Sequence, residues 1–172
     1  MATASDSRLS SISTATVRPS VTYQVESWAT YAADAPPLWV QHWREVAIHQ
    51  AEVPLEVDLE GYAALDALGK LLLVTVRADG ALVGYWKGLV VGHLHYRSTL
   101  HGIMDIVYLL PAYRQGFTAW RLFQAVEAEA QRRGVVRLTA GTKIHDGLDL
   151  SRLYERLGYA WTEKHFSKLL RS

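Results

Sequence analysis

Residues 104–123 read Met-Asp-Ile-Val-Tyr-Leu-Leu-Pro-Ala-Tyr-Arg-Gln-Gly-Phe-Thr-Ala-Trp-Arg-Leu-Phe. The first part is a short apolar run rich in strand formers, which predicts a buried β-strand. Pro111 ends it, because proline has no N–H to donate to a ladder. From Ala119 the apolar residues fall at 119, 122, 123, 126 and 130, a helical stripe that closes at Gly134 after Arg132 and Arg133. Between strand and helix lies Arg114-Gln115-Gly116-Phe117-Thr118. A helix start carries unpaired N–H groups and the positive end of its dipole, so this turn is suited to an anion such as phosphate. Neither Gly-x-Gly-x-x-Gly nor Gly-Lys-Ser/Thr occurs here, which argues against a dinucleotide turn and a nucleotide P-loop.

Outward from this unit, the chain reads as a mixed α/β protein. Residues 1–19 are Ser, Thr and Ala with few apolar anchors, the composition of a flexible arm preceding a single domain over 20–172. Val21–Val25 alternates as a strand, and Trp39, Trp43, Val46 and Ala47 repeat at helical spacing after Pro36-Pro37. Those tryptophans read as core. A shorter helix is expected over Gly61–Leu68. Leu71–Arg77 and Leu82–Tyr96 are strand-like runs joined by Asp79-Gly80, a hairpin signal. Gly84, Gly88 and Gly92 in the second run predict a bend or bulge. After Arg97-Ser98-Thr99 the central strand is expected to start near Ile103 and pair antiparallel with the run before it. Val135–Thr139 predicts a strand and Leu150–Leu157 a short helix capped by Asp149 and stopped at Gly158. Tyr159–Leu169 predicts a last strand.

Composition removes several function classes. The 18 Lys and Arg nearly balance 17 Asp and Glu, so no bulk field draws the chain to nucleic acid or an anionic membrane. Without cysteine there is no disulfide, thiolate metal site or cysteine nucleophile. No apolar run reaches membrane-span length and no signal-peptide core is visible, so the expected location is cytoplasmic.

The order strand, Pro-x-Tyr-Arg, loop, small residue, x-x-Leu resembles the acetyl-CoA motif of the GNAT superfamily of N-acetyltransferases, with Arg114, Ala119 and Leu122 at its spacing. Where that family usually carries glycine, this chain has Phe117, and the nearest glycine is Gly116. The resemblance implies a mostly antiparallel mixed sheet with splayed strands and flanking helices, and acetyl-CoA as cosubstrate. It implies that Arg114, Gln115, Gly116, Phe117, Thr118 and Ala119 hold the pyrophosphate and that Tyr108, Leu109 and Leu110 hold the pantetheine arm. Leu153-Tyr154-Glu155-Arg156-Leu157-Gly158-Tyr159 is similar to the family's Tyr-x-x-x-Gly-Phe signature, which makes Tyr154 the acid for the leaving thiolate. Read without the family, Tyr154 packs on an apolar face with Leu150 and Leu157.

For the base two readings stay open. Asp105-Ile106-Val107-Tyr108 resembles the Glu-Ile-Val-Phe of the histone-acetylating branch, which implies a base at Asp105 acting through water. Its bland counterpart is an acid that orders neighbouring strands. His93 and His95, two residues apart on one strand face, are the competing candidates; His101 and His145 are weaker. His-x-His is also a metal spacing, but no carboxylate or cysteine accompanies it at a telling distance, so no metal site is expected. The implied partner is an amine acceptor, a small molecule or a protein lysine. His93-Leu-His-Tyr-x-Ser-Thr-Leu100 and Gly141-Thr-Lys-Ile-His145 are similar to GNAT proteins of tailed bacteriophages. That likeness implies a rival role in virion or homo-oligomer assembly through the N-terminal arm.

Overall fold

The computed structural model describes residues 19–143 and 148–170. The expected arm, His145 and the end of the Gly141–His145 motif therefore lie outside the described residues, apart from Pro19 and Gly141–Lys143. Five strands form one sheet in the order β1 (Val21–Val25), β2 (Leu71–Ala78), β3 (Ala81–His93), β4 (Tyr96–Leu109) and β5 (Val135–Thr139). The first three pairings are antiparallel and β4–β5 is parallel. A parallel neighbour needs a crossover, supplied by α4 (Thr118–Arg132).

The two sheet faces bury different sets. On one, Leu72, Val74, Trp86, Leu122, Phe123, Val126 and Tyr154 form a core roofed by α4 and α5 (Ser151–Leu157). On the other, Trp28, Tyr31, Trp39, Leu71, Leu73, Tyr85 and Tyr108 pack under α1 (Trp28–Asp34), α2 (Pro36–Val46) and α3 (Leu59–Ala67). Strand β2 is buried along its whole length because it serves both cores.

Most expected elements occur, with four differences. First, α1 was not foreseen: Ser27 caps it, Oγ accepting from Thr30 N at 3.2 Å, and Asp66 accepts from Trp28 N at 2.8 Å. Second, β3 turns earlier than expected, at Leu94-His95, so Arg97–Thr99 are inside β4 rather than in a loop. Side chains there are mostly exposed, so no buried face left a periodic signal. Third, Asp149 sits one residue before the α5 cap, Leu150, and accepts from Ser151 N at 2.9 Å. Fourth, residues 159–170 form no strand. Trp161 is 68% and Phe166 93% exposed, and their positions differ in parity, so this segment offers a sheet no single apolar face.

The irregularity expected within β3 occurs at Val83, left unpaired where Val76 pairs with Gly84 and Arg77 with Leu82, and β4 carries another opposite Gly88. Gly88 pairs with Met104 while Lys87 pairs with Ile106, so Asp105 is the extra residue of a bulge. Gly88 allows the close approach: a Cβ there would lie 2.5 Å from the Ile103 carbonyl oxygen.

Candidate functional site

Strand β5 pairs with β4 only from Leu100 to Ile103 and ends at Thr139, while β4 runs on to Leu109. Beyond Ile103 the two parallel strands part, and the second half of β4 has one free edge. The ladder to β3 tells which backbone groups face it. Leu110 N donates to Val83 O at 2.9 Å, and by antiparallel alternation the Tyr108 amide turns the same way, toward β3. Leu109 and Val107 turn their polar groups to the open edge. Of the three residues expected there, Leu109 thus presents its backbone to the gap, whereas the Leu110 amide is committed to the sheet.

Two candidate catalytic side chains flank this gap from opposite faces. Tyr154, on α5, is buried; its hydroxyl donates to Gly141 O at 2.8 Å and lies 3.7 Å from Met104 Sδ. Burial pushes its pKa up, so the phenol keeps its proton. Asp105, next after Met104, lies on the other face, where Tyr62 Oη donates to its carboxylate at 2.6 Å. Burial first, and that carboxylate second, raise the Tyr62 pKa. A cavity of about 1040 Å³ opens beside Tyr154, with Thr139, Gly141, Thr142 and Ser151 in its wall. Its size falls in the range of small-molecule sites.

The loop after β4 keeps the features of an anion cradle. Gly116 has φ +72°, and the first backbone bond into α4 runs from Arg121 N to Phe117 O at 2.9 Å. The amides of Thr118, Ala119 and Trp120 precede that bond, and no side chain caps this helix start. Phe117 is 71% exposed, so it does not fill the cradle as a core residue would. Arg114 is already paired within the chain. Its Nε donates to Leu109 O at 2.8 Å, and both terminal nitrogens bond to Glu45 on α2, Nη2 at 2.7 Å from Oε2. The guanidinium also stacks 5.3 Å from the Tyr108 ring, whose hydroxyl donates to Glu45 at 2.9 Å. The Arg114 hydrogen bonds hold the Glu45 carboxyl below its ordinary pKa, against the opposing pull of desolvation.

The histidine candidates lie elsewhere. His93 pairs with Tyr96 at the far end of the β3–β4 hairpin, with His95 in its turn, nine residues along β4 from Asp105. At ~3.3 Å per residue that separation is roughly 30 Å. They cluster with one another, His93 lying 5.7 Å from His95 and 5.0 Å from His101 between ring centres. Among the described residues no group of three His, Cys, Asp or Glu is placed to hold a metal ion. No described helix is long and apolar enough to cross a membrane.

Glu45, Tyr62 and Lys87 escaped the sequence reading, because their partners come from other elements. Lys87 alone had left a signal, a charge inside the apolar run Tyr85-Trp86-Lys87-Gly88-Leu89.

Comparison with known proteins adds a family and a fold. The family model described as acetyltransferase (GNAT) family matches residues 27–159. No curated protein sequence matches the chain. An aminoglycoside acetyltransferase from an uncultured soil metagenomic sample superposes with TM-score 0.71 at 13% identity, covering 88% of this chain and 99% of its own. The ribosomal-protein-alanine N-acetyltransferase of Brucella melitensis biovar Abortus 2308 gives 0.70 at 18%, covering 89% and 99%. A predicted acetyltransferase with acetyl-CoA from Clostridium acetobutylicum gives 0.64 at 10%, covering 87% and 96%.

Proposed function

Because the chain belongs to the acetyltransferase (GNAT) family, we propose that it moves the acetyl group of acetyl-CoA directly onto an amine acceptor. The observation that carries this reading is the back-to-back placement of Tyr154 and Asp105 across the open edge of β4. A thioester lying in the gap would have its sulfur side toward one residue and its acceptor side toward the other.

The chemistry divides accordingly. An acceptor amine with a free pKa near ~10 is mostly ammonium at neutral pH and must lose a proton before it attacks. Asp105, exposed and already a hydrogen-bond acceptor, is the group on that face that can draw the proton away, through water. Attack forms the new C–N bond and places negative charge on the carbonyl oxygen, for which a backbone N–H on the free edge of β4, such as that of Val107 or Leu109, is the donor. The C–S bond then breaks, Tyr154, which keeps its proton because burial raises its pKa, supplies it to the thiolate, and the second proton of the acceptor nitrogen leaves through solvent, restoring the phenol. The amides at the start of α4, beside Gly116, suit the pyrophosphate. Arg114 joins them with the two N–H donors that Leu109 and Glu45 leave unused, or by exchanging Glu45 for the new anion. His93 and His95, at the distant hairpin end, have no part in this scheme.

Acceptor class does not follow from the scaffold, since small amines, peptides and protein lysines are all compatible with such a cleft. Calorimetry with acetyl-CoA, followed by thiol release across a panel of polyamines, aminoglycosides and peptides, tests the reading. Micromolar binding and release with one amine class are expected. A rival reading, a structural or accessory protein on this fold, rests on Phe117 standing where glycine is usual and on the paired state of Arg114. Absence of acetyl-CoA binding would favour it.

A further inference from the structure

Lys87 lies in the middle of β3, is 2% exposed, and forms neither a hydrogen bond nor an ion pair among the described residues. What surrounds Nζ is aromatic: the Tyr62 ring centre at 4.1 Å, Trp28 at 5.4 Å, Tyr31 and Tyr85 at 5.6 Å, and Trp39 at 5.9 Å. Ring faces carry negative potential, and five of them make a box for a cation. Rings attract the charge but offer no lone pair in their plane, so the three N–H donors of the ammonium stay free for an anion. Without one, a buried ammonium is costly.

One wall of the box is able to yield. Trp28, Tyr31, Trp39 and Tyr85 are buried, whereas Tyr62 is half-buried and belongs to α3, a helix with no fully buried residue. Its ring stacks on Trp28, 4.5 Å between centres, and covers the ammonium, while its hydroxyl donates to Asp105. A single tyrosine ring thus separates the cation of Lys87 from the carboxylate of Asp105, on the sheet face given above to the acceptor. The neighbouring acids are engaged elsewhere: Glu45 by Arg114 and Tyr108, and Asp66 by the Trp28 amide.

We propose that the acceptor is a small zwitterion, an amine with a carboxylate or phosphate a few bonds away: Lys87 takes the anion, Asp105 faces the amine, and Tyr62 swings aside to admit both. This names the substrate class of the acetyl-transfer site and rests on that reading. Tyr62 touches each of the two charges, and a zwitterion replaces both contacts at once, giving the ammonium the acceptor that a ring cannot. The transfer itself is unchanged: the C–N bond forms, the C–S bond breaks, and the anion leaves intact on the N-acetylated product. A polyamine or an aminoglycoside would instead bring a second cation against Lys87, and like charges in a water-poor site repel strongly.

The test compares amines that differ only in the anion: glycine and phenylalanine against their amides, and phosphoethanolamine against ethanolamine. Calorimetry on the full-length protein reads binding, and thiol release from acetyl-CoA reads transfer. The parent should prefer at least one anion-bearing amine to its neutral partner by ~10–100-fold, the worth of a hydrogen bond between charged groups. The amines' own bias runs the other way, because a neighbouring anion holds an amine in its protonated form. In Lys87→Met, which keeps the side chain's length inside the box, that preference should vanish; a damaged fold would weaken both members of a pair alike. No preference in any of the pairs overturns the proposal, as does a preference that survives in Lys87→Met, or a polyamine favoured over all the anion-bearing amines. The parent comparison needs no variant, so it decides even where Lys87→Met folds poorly. Anion-dependent binding without thiol release would remove the acetyl-transfer reading and leave the Lys87 site standing.

Discussion

Glu45 on α2 and Arg114 after β4 form a two-pronged ion pair that ties a helix of one face to the loop that begins α4, and Tyr108 donates to the same carboxylate. Arg114 is thereby occupied by an internal anion at the place where an external one is expected. A phosphate that recruits Arg114 must displace Glu45 or work against its charge. Glu45→Gln keeps the shape and removes the charge, so acetyl-CoA should bind more tightly, by ~1 kcal/mol or several-fold in Kd. Arg114→Ala should weaken binding, and weaken it more in the Glu45→Gln background than in the parent. Calorimetry on the four proteins of this cycle decides; equal losses in both backgrounds would mean that Arg114 never leaves Glu45.

Tyr154 is both a core residue and the proposed acid, and one substitution separates the roles. Tyr154→Phe keeps the ring edge-on to Phe123, 5.3 Å between centres, and deletes the hydroxyl that serves Gly141 O. Loss of that bond should lower stability by about 1 kcal/mol. Turnover should fall by ~10²–10⁴-fold with acetyl-CoA affinity nearly intact, since a proton to the thiolate helps only once the C–S bond is breaking. A Phe variant that turns over at the parent rate would return Tyr154 to the core and leave water as the acid.

How far the sequence reached follows from the range of the forces involved. The strand–loop–helix around Arg114, the Asp79-Gly80 hairpin and the Gly158 stop were legible because each is set by neighbours in the chain; Gly158, for example, has φ +89°. The β4 bulge was signalled by Gly88, yet its occupant, Asp105, depends on cross-strand register, which no local pattern encodes. Glu45 lies 69 residues from Arg114, Tyr62 lies 43 from Asp105, and both pairs exist only once α2 and α3 dock on the sheet. His93 and His95 show the converse. Their i, i+2 spacing read as one strand face, but the chain turns at Leu94-His95, which takes His95 off the strand and sets both far from the gap, and no buried face announced that turn.

His42 makes acid sensitivity testable. It is buried, its Nδ1 is 2.7 Å from Tyr85 Oη, and its ring stacks 4.6 Å from that of Tyr108. Desolvation first, then the charge of Lys87, lowers its pKa from 6.5 to about 4. The unfolded chain therefore takes up a proton below about 6.5 that the folded chain refuses until about 4. Stability from this group is complete above about 6.5 and is lost as pH falls between those values, by about 2 kcal/mol at pH 5. Thermal melts between pH 7 and 5 should show the decline, and His42→Phe should flatten it. An unchanged slope in that variant would assign the acid sensitivity to other groups.

Lys87 carries the same sign in a higher pH window. Its ordinary value of 10.5 falls to about 8 in the box, so between those pH values the unfolded chain holds a proton that the folded chain has released. Stability from this group rises with pH across that window, and below about 8 the fold carries the full penalty of a desolvated ammonium, at most about 3 kcal/mol. The attraction of the five rings acts on the charged form and offsets part of that penalty. Lys87→Met puts an uncharged chain of similar length among Trp28, Tyr31, Trp39, Tyr62 and Tyr85. The variant should melt several degrees above the parent at pH 7, given ~2–4 °C per kcal/mol for a chain of this size. The gap should narrow toward pH 10, where the parent lysine has shed its proton. A constant gap would mean that methionine gains by packing alone, and a variant that melts lower than the parent at pH 7 would mean that the rings hold the ammonium more firmly than water does.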